Sequence, residues 1–334
     1  MEFPIYDGSI HPSEWLKQVQ ATCLLKQITN DEFVLKIAKM MIDSSIKIPE
    51  NISTFDALIN ALKADITFSI LKAQMRRELQ TLKYIPIREG GAPSKFINKF
   101  RKLCRDAEIN NLQEQKTYLY FSLSNDYYIW NEFYKKMKNI KSTNELIQEF
   151  GKITIDETNL IRNGSIVALK HVATGKYLSS IKDLCYTTGS KTQLVFANNL
   201  LDSDALWNIT FTSGKELASY TDTNICLQHK NSRASLGLFF NYHYNQYQSP
   251  VTQHTEVSCN PKDSYHYTQW KFNNKGYLKS NDIINLSINY NRQVFLRSHD
   301  LQFTIGNYTF QEVVCHNERL CGNDEWCIEL IKQS

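Results

Sequence analysis

One strand pattern occurs three times in the second half of this 334-residue chain, and this repetition limits the possible folds more than any other feature. The first copy begins at Gly164, reaches Gln193 and ends at Trp207. The corresponding positions of the other two copies are Ile225, Glu256 and Trp270, then Ile284, Gln311 and Trp326. From the Gln or Glu position to the tryptophan the interval is 14, 14 and 15 residues.

Each copy contains several short runs of alternating apolar residues with turn residues between them. Closely spaced short strands favour an all-β barrel. A sheet fragment of this size cannot bury its apolar face alone, but three copies around a common axis can. We therefore predict a β-trefoil, with one tryptophan from each copy in the shared centre.

Three segments of the first copy resemble the MIR motif, which is named for protein O-mannosyltransferases and the inositol-trisphosphate and ryanodine receptors. These segments are Gly164–His171, Thr174–Leu178 and Ala205–Trp207. The resemblance covers about residues 160–334 and implies a β-trefoil without chemistry of its own that binds a ligand or partner. The Gln-x-Trp pattern of sugar-binding ricin-type trefoils does not occur at the three tryptophans, so lectin activity does not follow from that pattern.

The first half of the chain changes to helical periodicity. Apolar residues recur at helical spacing from Trp15 onward, and Ser142-Thr-Asn-Glu145 is a capping box for a last helix that ends at Gly151. We predict an all-α bundle of seven or eight helices over residues 1–151, a linker over 152–163 and the trefoil over 164–334. The fold class is therefore a two-domain α + β chain.

The helical half resembles the capsid region of long-terminal-repeat retrotransposon Gag proteins over about residues 3–140. The likeness rests on Tyr6-Asp7-Gly8 with Trp15 and Leu16, on Thr54–Leu58 with Arg76-Arg77-Glu78-Leu79, and on Phe96, Phe100 and Leu103. The tryptophan usual after the second helix is replaced by Ser44-Ser45-Ile46, and no CCHC knuckle or aspartic-protease triplet follows. The resemblance implies protein–protein assembly as the property that remains.

Charge and hydropathy exclude several classes of protein. The net charge is +4, and both halves are nearly balanced, with 22 basic against 20 acidic residues before residue 161 and 16 against 14 after it. A dedicated nucleic-acid binder carries a stronger basic bias. The N-terminal residues lack the basic and apolar regions of a signal peptide, and the uncharged run 234–255 is too polar for a membrane span. We expect a cytoplasmic or nuclear protein.

The eight cysteines contain no CxxC pair and are expected to be free thiols in a reducing compartment. Cys315, Cys321 and Cys327, with His316, are the one set that suggests zinc, but structural zinc sites use tighter paired spacing. We predict neither metal nor other cofactor.

Four side chains of an aromatic and amide-rich stretch in the second copy, Tyr242, His243, Tyr244 and Tyr247, are the candidate ligand-binding residues. Such residues on a loop over a rigid scaffold suit recognition. The alternative is a longer hairpin whose rings pack on their neighbours.

Two other groups have a structural and a functional interpretation. His171 and His229 occupy equivalent positions, with Ile288 in the third copy, and we predict that each ring binds a turn rather than a metal or substrate. Lys95, Lys99 and Lys102 share one helical face that could follow phosphates. Because acidic residues come directly afterwards, we predict a solvated face instead.

No catalytic motif accompanies these patterns. We predict a non-enzymatic adaptor whose helical domain self-associates or binds a protein and whose trefoil displays a recognition surface. The alternatives are a trefoil that binds a glycan or inositol phosphate, and residual nucleic-acid binding by the helical domain.

Overall fold

The computed structural model describes residues 2–220, 223–240, 246–260, 266–273, 276–290 and 292–334. The chain divides into two compact units, Met1–Thr158 and Asn159–Ser334. The first is helical and the second is β-rich, as the change of periodicity predicts.

Eight α-helices lie in the described part of the first unit. They are α1 (Pro12–Leu25), α2 (Asp31–Met40), α3 (Phe55–Ala64), α4 (Ile66–Thr81), α5 (Pro93–Asp106), α6 (Leu112–Ser122), α7 (Tyr127–Met137) and α8 (Thr143–Thr158). The predicted number of seven or eight helices is confirmed. Trp15 lies fully buried in the core of α1–α3, where its indole N–H donates to the carbonyl of Pro4 at 2.9 Å.

The end of the last helix and the segment after it differ from the prediction. The helix that we expected to end at Gly151 continues to Thr158, because Ile153 and Thr154 extend the buried stripe past the glycine, which a helix interior tolerates. Leu160 and Arg162 then form isolated antiparallel bridges with Lys279 and Leu217 of the second unit. The segment expected as a linker, 152–163, is therefore divided between the last helix and the β-rich unit.

Side-chain caps begin most of the helices. The side chains of Asn30, Thr54, Asn111 and Asp126 accept backbone N–H groups at the starts of α2, α3, α6 and α7. At α1 the cap is His11, whose side chain accepts the N–H of Ser13. Pro12 occupies the first helical position, where its missing N–H costs nothing.

Fifteen strands lie in the described residues of the second unit. They are β1 (Ile166–His171), β2 (Tyr177–Cys185), β3 (Gln193–Asn198), β4 (Trp207–Phe211), β5 (Ile225–His229), β6 (Ser235–Phe239), β7 (Thr255–Glu256), β8 (Ser258–Asn260), β9 (His266–Tyr267), β10 (Lys271–Phe272), β11 (Asp282–Ile284), β12 (Leu286–Tyr290), β13 (Arg292–Ile305), β14 (Tyr308–His316) and β15 (Trp326–Lys332).

Seven strands close into a barrel of six segments, because β11 and β12 follow each other directly and together form one segment. Strand β1 pairs with β4, and β4 pairs with β5. Ile225 of β5 pairs with Trp270, the residue before β10, and β10 pairs with β12. The adjoining strand β11 pairs with β15, which returns to β1. Because every segment has a partner on both sides, the ring leaves no open edge.

Three hairpins accompany the barrel, formed by β2 with β3, β6 with β8, and β13 with β14. Their second strands also pair with one another in a cycle. The start of β3 pairs with β8, the start of β7 pairs with the end of β14, and the start of β14 pairs with the end of β3. The three sequence copies therefore make equivalent contacts with their neighbours.

The three repeat tryptophans lie in one core cluster, each completely buried. Each indole N–H donates to a leucine carbonyl in its own copy: Trp207 to Leu178 at 2.9 Å, Trp270 to Leu236 at 3.0 Å and Trp326 to Leu296 at 3.1 Å. A buried indole N–H needs such an acceptor. The prediction that the tryptophans fill a shared centre is confirmed.

We expect Trp207→Phe to destabilise the β-rich unit by roughly 2–4 kcal/mol, because it leaves the Leu178 carbonyl without its donor and opens a cavity. Urea denaturation of the full chain, followed by circular dichroism, measures this loss. Trp130→Phe is the control, since Trp130 is only half-buried in the helical unit. Equally small losses for the two variants would contradict the structural role assigned to the indole.

Candidate binding surfaces

Both histidines of the repeat are buried against tryptophans. The ring of His171 lies 5.0 Å from that of Trp326, and the ring of His229 lies 5.4 Å from that of Trp207. Strand pairing places each histidine directly opposite its tryptophan. The third position holds Ile288, which is also buried.

Hydrogen bonds occupy both ring nitrogens of His171. Its Nε2 lies 2.9 Å from the carbonyl of Asn323 and its Nδ1 lies 2.9 Å from the hydroxyl of Thr174. Because a carbonyl can only accept, Nε2 carries the proton and Nδ1 accepts from Thr174. Burial lowers the pKa of His171 and that of His229. These rings hold turns in place, as the sequence predicts.

The pairing of the hairpins corrects the sequence alignment of the copies by one residue. Gln193 pairs with Cys259 and Gln311 pairs with Ala197. The equivalent position of the second copy is Thr255, and not Glu256, because Thr255 makes the corresponding pair with Cys315. The error arose because spacing to the tryptophan was counted without the register of the strands.

In the corrected register, Leu194, Glu256 and Glu312 are equivalent, and each belongs to the second strand of a hairpin. Glu256 accepts hydrogen bonds from the N–H of Ser190 at 3.3 Å and from its hydroxyl. Gly189, beside it, has a φ of +64°, and a Cβ there would clash with the Glu256 carboxylate. Glu256 therefore fixes the turn of the first hairpin.

Glu312 does the same for the second hairpin. It accepts the N–H of Val251 at 3.1 Å and the hydroxyl of Thr252 at 2.8 Å. His299 Nε2 lies 3.0 Å from the same carboxylate. Leu194 instead joins an apolar cluster with Tyr186, Phe196 and Phe310, against which Phe303 and Ile305 of the third hairpin pack. Each hairpin is thus held by the strand of the next copy.

The pKa values of the two buried glutamates are shifted in opposite directions. Burial raises the pKa of Glu256 to about 7, and the hydrogen bonds from Ser190 only partly offset it. Burial alone would also raise the pKa of Glu312, but hydrogen bonds from His299 and Thr252 outweigh it and lower the pKa to about 2. Glu312 is therefore ionised at neutral pH, whereas burial favours the protonated form of Glu256.

The candidate ligand residues Tyr242, His243 and Tyr244 lie outside the described residues. Tyr247 is described and half-buried. Its ring stacks on Phe239 with centroids 5.6 Å apart, and its carbonyl accepts the N–H of Glu256 at 2.9 Å. The ring of Tyr247 thus packs on a neighbouring residue, as the alternative interpretation of this stretch predicts. Its role in recognition stays a prediction.

The lysines Lys95, Lys99 and Lys102 are exposed on α5. Exposure agrees with either a solvated face or a phosphate-binding face, so the solvated face stays a prediction.

A surface that the sequence interpretation missed lies on α6 and α7. Tyr120 contacts the rings of Phe121, Trp130 and Tyr134 at 5.5, 5.2 and 5.9 Å, and Tyr127 lies 6.3 Å from Trp130. Tyr127, Phe121 and Tyr134 are 67%, 60% and 48% exposed. We call these five residues the aromatic face. The density of aromatic residues between positions 118 and 134 was the available signal.

Next to the aromatic face lies a groove of about 480 Å³, lined by Leu79, Thr117, Tyr118 and Phe121 among others. Phe121 belongs to both features, so the apolar surface continues from the face into the groove. Contiguous exposed apolar surface of this kind marks protein contact sites.

In the described residues, no group of three or more His, Cys, Asp or Glu side chains is arranged to hold a metal ion. Cys315 is buried in the core, Cys321 is exposed, and His316 Nε2 binds Asp324 at 2.7 Å. The cysteines are free thiols throughout the described chain. No described helix combines the length and apolar character required to cross a bilayer.

No family model and no curated protein sequence matches the chain. Solved structures do match. An SDF2-like protein from Arabidopsis thaliana is 26% identical with a TM-score of 0.43, and the match covers 51% of this chain and 94% of that protein.

Two further neighbours are less similar in sequence. The Saccharomyces cerevisiae protein O-mannosyltransferase Pmt1-Pmt2 complex bound to the sugar donor is 15% identical with a TM-score of 0.43, covering 71% of this chain and 44% of that one. A ricin B-like lectin from Macrolepiota procera, in complex with lactose, is 10% identical with a TM-score of 0.31, covering 50% and 96%. These similarities assign no family to the chain.

The buried carboxyl of Glu256 predicts a specific dependence of stability on pH. A carboxyl whose folded pKa is raised stabilises the fold below its unfolded pKa of about 4.5, and this contribution is lost as the pH rises through about 7. We expect Glu256→Gln to gain stability relative to the native chain between pH 5 and pH 8, by up to roughly 3 kcal/mol. Thermal denaturation across this range measures the difference.

Glu312→Gln is the matched control for this experiment, because the folded pKa of Glu312 is lowered. Its carboxylate contributes stability above a pH of about 4.5, which is lost as the pH falls toward 2. The Gln variant should therefore be less stable than the native chain at neutral pH. Parallel pH curves for the native chain and Glu256→Gln would contradict the raised pKa.

Proposed function

We propose that this chain is a non-enzymatic binding protein. Its β-rich unit is a β-trefoil of the MIR type that displays a recognition surface, and its helical unit is of the Gag capsid-like type and makes protein contacts. The cytoplasm or nucleus remains the expected location.

The main support is the use of the buried titratable groups in the β-rich unit. His171 binds two turns, Glu256 and Glu312 each hold a neighbouring hairpin, and Asp324 binds His316 and Arg297. Catalytic acids and bases need access to a substrate. Groups with less than 3% exposure that hold turns together stabilise a scaffold instead. We therefore assign the binding of a ligand or partner to the loops of the β-rich unit.

The aromatic face supports the protein-contact half of the proposal. Its three exposed rings lie together on α6 and α7, beside an apolar groove. Aromatic residues dominate the energetic centres of protein interfaces. A second copy of this chain or another protein that covers the face would remove these rings from water.

We expect the full chain to have a solution mass above that of a monomer, or to retain a protein partner, through this face. Phe121→Ser with Tyr127→Ser should abolish the association, since burying two aromatic side chains contributes several kcal/mol. Multi-angle light scattering and a pull-down measure the two outcomes. The control is Leu24→Ser with Leu25→Ser, which changes two equally exposed residues of α1.

A strict monomer at high concentration, with no partner that depends on Phe121 and Tyr127, would remove the assembly half of the proposal. Equal effects of the two double variants would show that general surface hydrophobicity, and not the aromatic face, causes the association.

The ligand half of the proposal is favoured by how Tyr247 is held. A ring stacked on Phe239 and a backbone carbonyl bonded to Glu256 fix this tyrosine in the aromatic, amide-rich part of the second copy. Fixed aromatic rings bind at a low cost in conformational entropy. Glycans and inositol phosphates are the ligand classes that we propose.

On a combined glycan and phosphoinositide array, the full chain should bind one of the two classes. Tyr247→Ala should weaken that binding about tenfold or more, equivalent to ~1.4 kcal/mol. Tyr308→Ala is the control, because Tyr308 is an exposed tyrosine on β14. An array without any hit, or a hit unaffected by Tyr247→Ala, would refute the ligand half.

A further inference from the structure

An open cavity of about 430 Å³ lies at the surface of the helical unit, where residues of α1, α3, α5, α6 and α8 meet. Its volume falls in the range of small-molecule sites. Phe100, Cys104 and Ile109 form an apolar wall and are themselves almost fully buried. The remaining lining is polar, so the cavity combines an apolar wall with placed polar groups.

One of these polar groups is a buried hydrogen-bond donor. His11 is 6% exposed and lines the cavity, and its Nδ1 accepts the N–H of Ser13 at 3.2 Å. A neutral imidazole that accepts at Nδ1 carries its proton on Nε2. Within the described residues, the nearest recorded acceptor of that Nε2 is Glu108 Oε1 at 3.9 Å, too far for a hydrogen bond. The His11 N–H therefore has room for an acceptor from a ligand.

The charge around the cavity is positive. Two carboxylates line it, those of Glu14 and Glu108. Four basic side chains also line it, namely Lys17, Lys63, Arg101 and Arg105. Arg105 pairs with Glu14 at 2.8 Å, and Lys63 pairs with Glu108 at 2.6 Å. Lys17 and Arg101 have no ion pair recorded among the described residues. The N-terminus of α1, with its partial positive charge, begins at the same place.

We propose that this cavity binds a small dianion, with one anionic group accepting from His11 Nε2 and with Lys17, Lys63 and Arg101 of the lining supplying the positive charge that attracts it. Phosphate esters and dicarboxylates share this chemistry, since both present charged oxygens to N–H donors. The assignment does not rest on the adaptor function, because none of these residues belongs to the aromatic face or to the β-rich unit.

Isothermal titration of the full chain with pyrophosphate and, separately, with malonate tests the proposal at low ionic strength. His11→Asn is the central variant. An asparagine cap still accepts the N–H of Ser13 but lacks the second ring nitrogen, so α1 keeps its cap and the cavity loses its donor. We expect binding of at least one probe, weakened roughly tenfold or more by His11→Asn.

Arg101→Ala should weaken the same binding, whereas Lys95→Ala should leave it unchanged, because Lys95 is exposed on α5 outside the cavity. Tighter binding of pyrophosphate would identify a phosphate ligand, and tighter binding of malonate would identify a dicarboxylate. No binding of either probe at millimolar concentration would overturn the proposal. Binding that resists His11→Asn, or that Lys95→Ala weakens as much as Arg101→Ala, would also overturn it.

Discussion

Three hydrogen bonds from buried indoles to leucine carbonyls hold the centre of the β-rich unit together. Each tryptophan ties the last strand of its copy to the first strand of that copy's hairpin, so the barrel and the hairpins share one core. In an interior without water, an indole N–H that lacked its acceptor would destabilise the folded state. These three hydrogen bonds thus fix the closing strand of each copy against its hairpin. They place no restriction on the loops, which can differ between copies.

The departures from threefold symmetry are as informative as the symmetry. At the position equivalent to Leu194, two copies carry glutamate, and each glutamate holds a polar turn of a neighbouring hairpin. Leu194, in the first copy, belongs to an apolar cluster against which Phe303 and Ile305 of the third hairpin pack. The side chain at this position therefore matches the turn that it contacts, in polarity and in hydrogen-bonding capacity.

Much of this architecture could be predicted from the sequence, because repetition and periodicity are local signals. The eight helices, the three strand copies and the buried tryptophans follow from spacing alone. Strand register does not, and the resulting one-residue error at Glu256 hid the role of the buried carboxylates. The cap of α1 and the aromatic face depend on which side chains meet in space. The side chain of His11, for example, caps α1 by accepting the N–H of Ser13.

The first and last strands of the β-rich unit are neighbours, since Ile166 of β1 pairs with Lys332 of β15. The barrel consequently cannot close until the ribosome has released almost the entire unit. Until then β1 lacks its pairing with β15, and the nascent chain exposes an unpaired edge to other polypeptides. Contacts between residues so distant along the chain also slow folding, because a long loop must be closed before they form. Closure of the barrel therefore depends on the synthesis of β15.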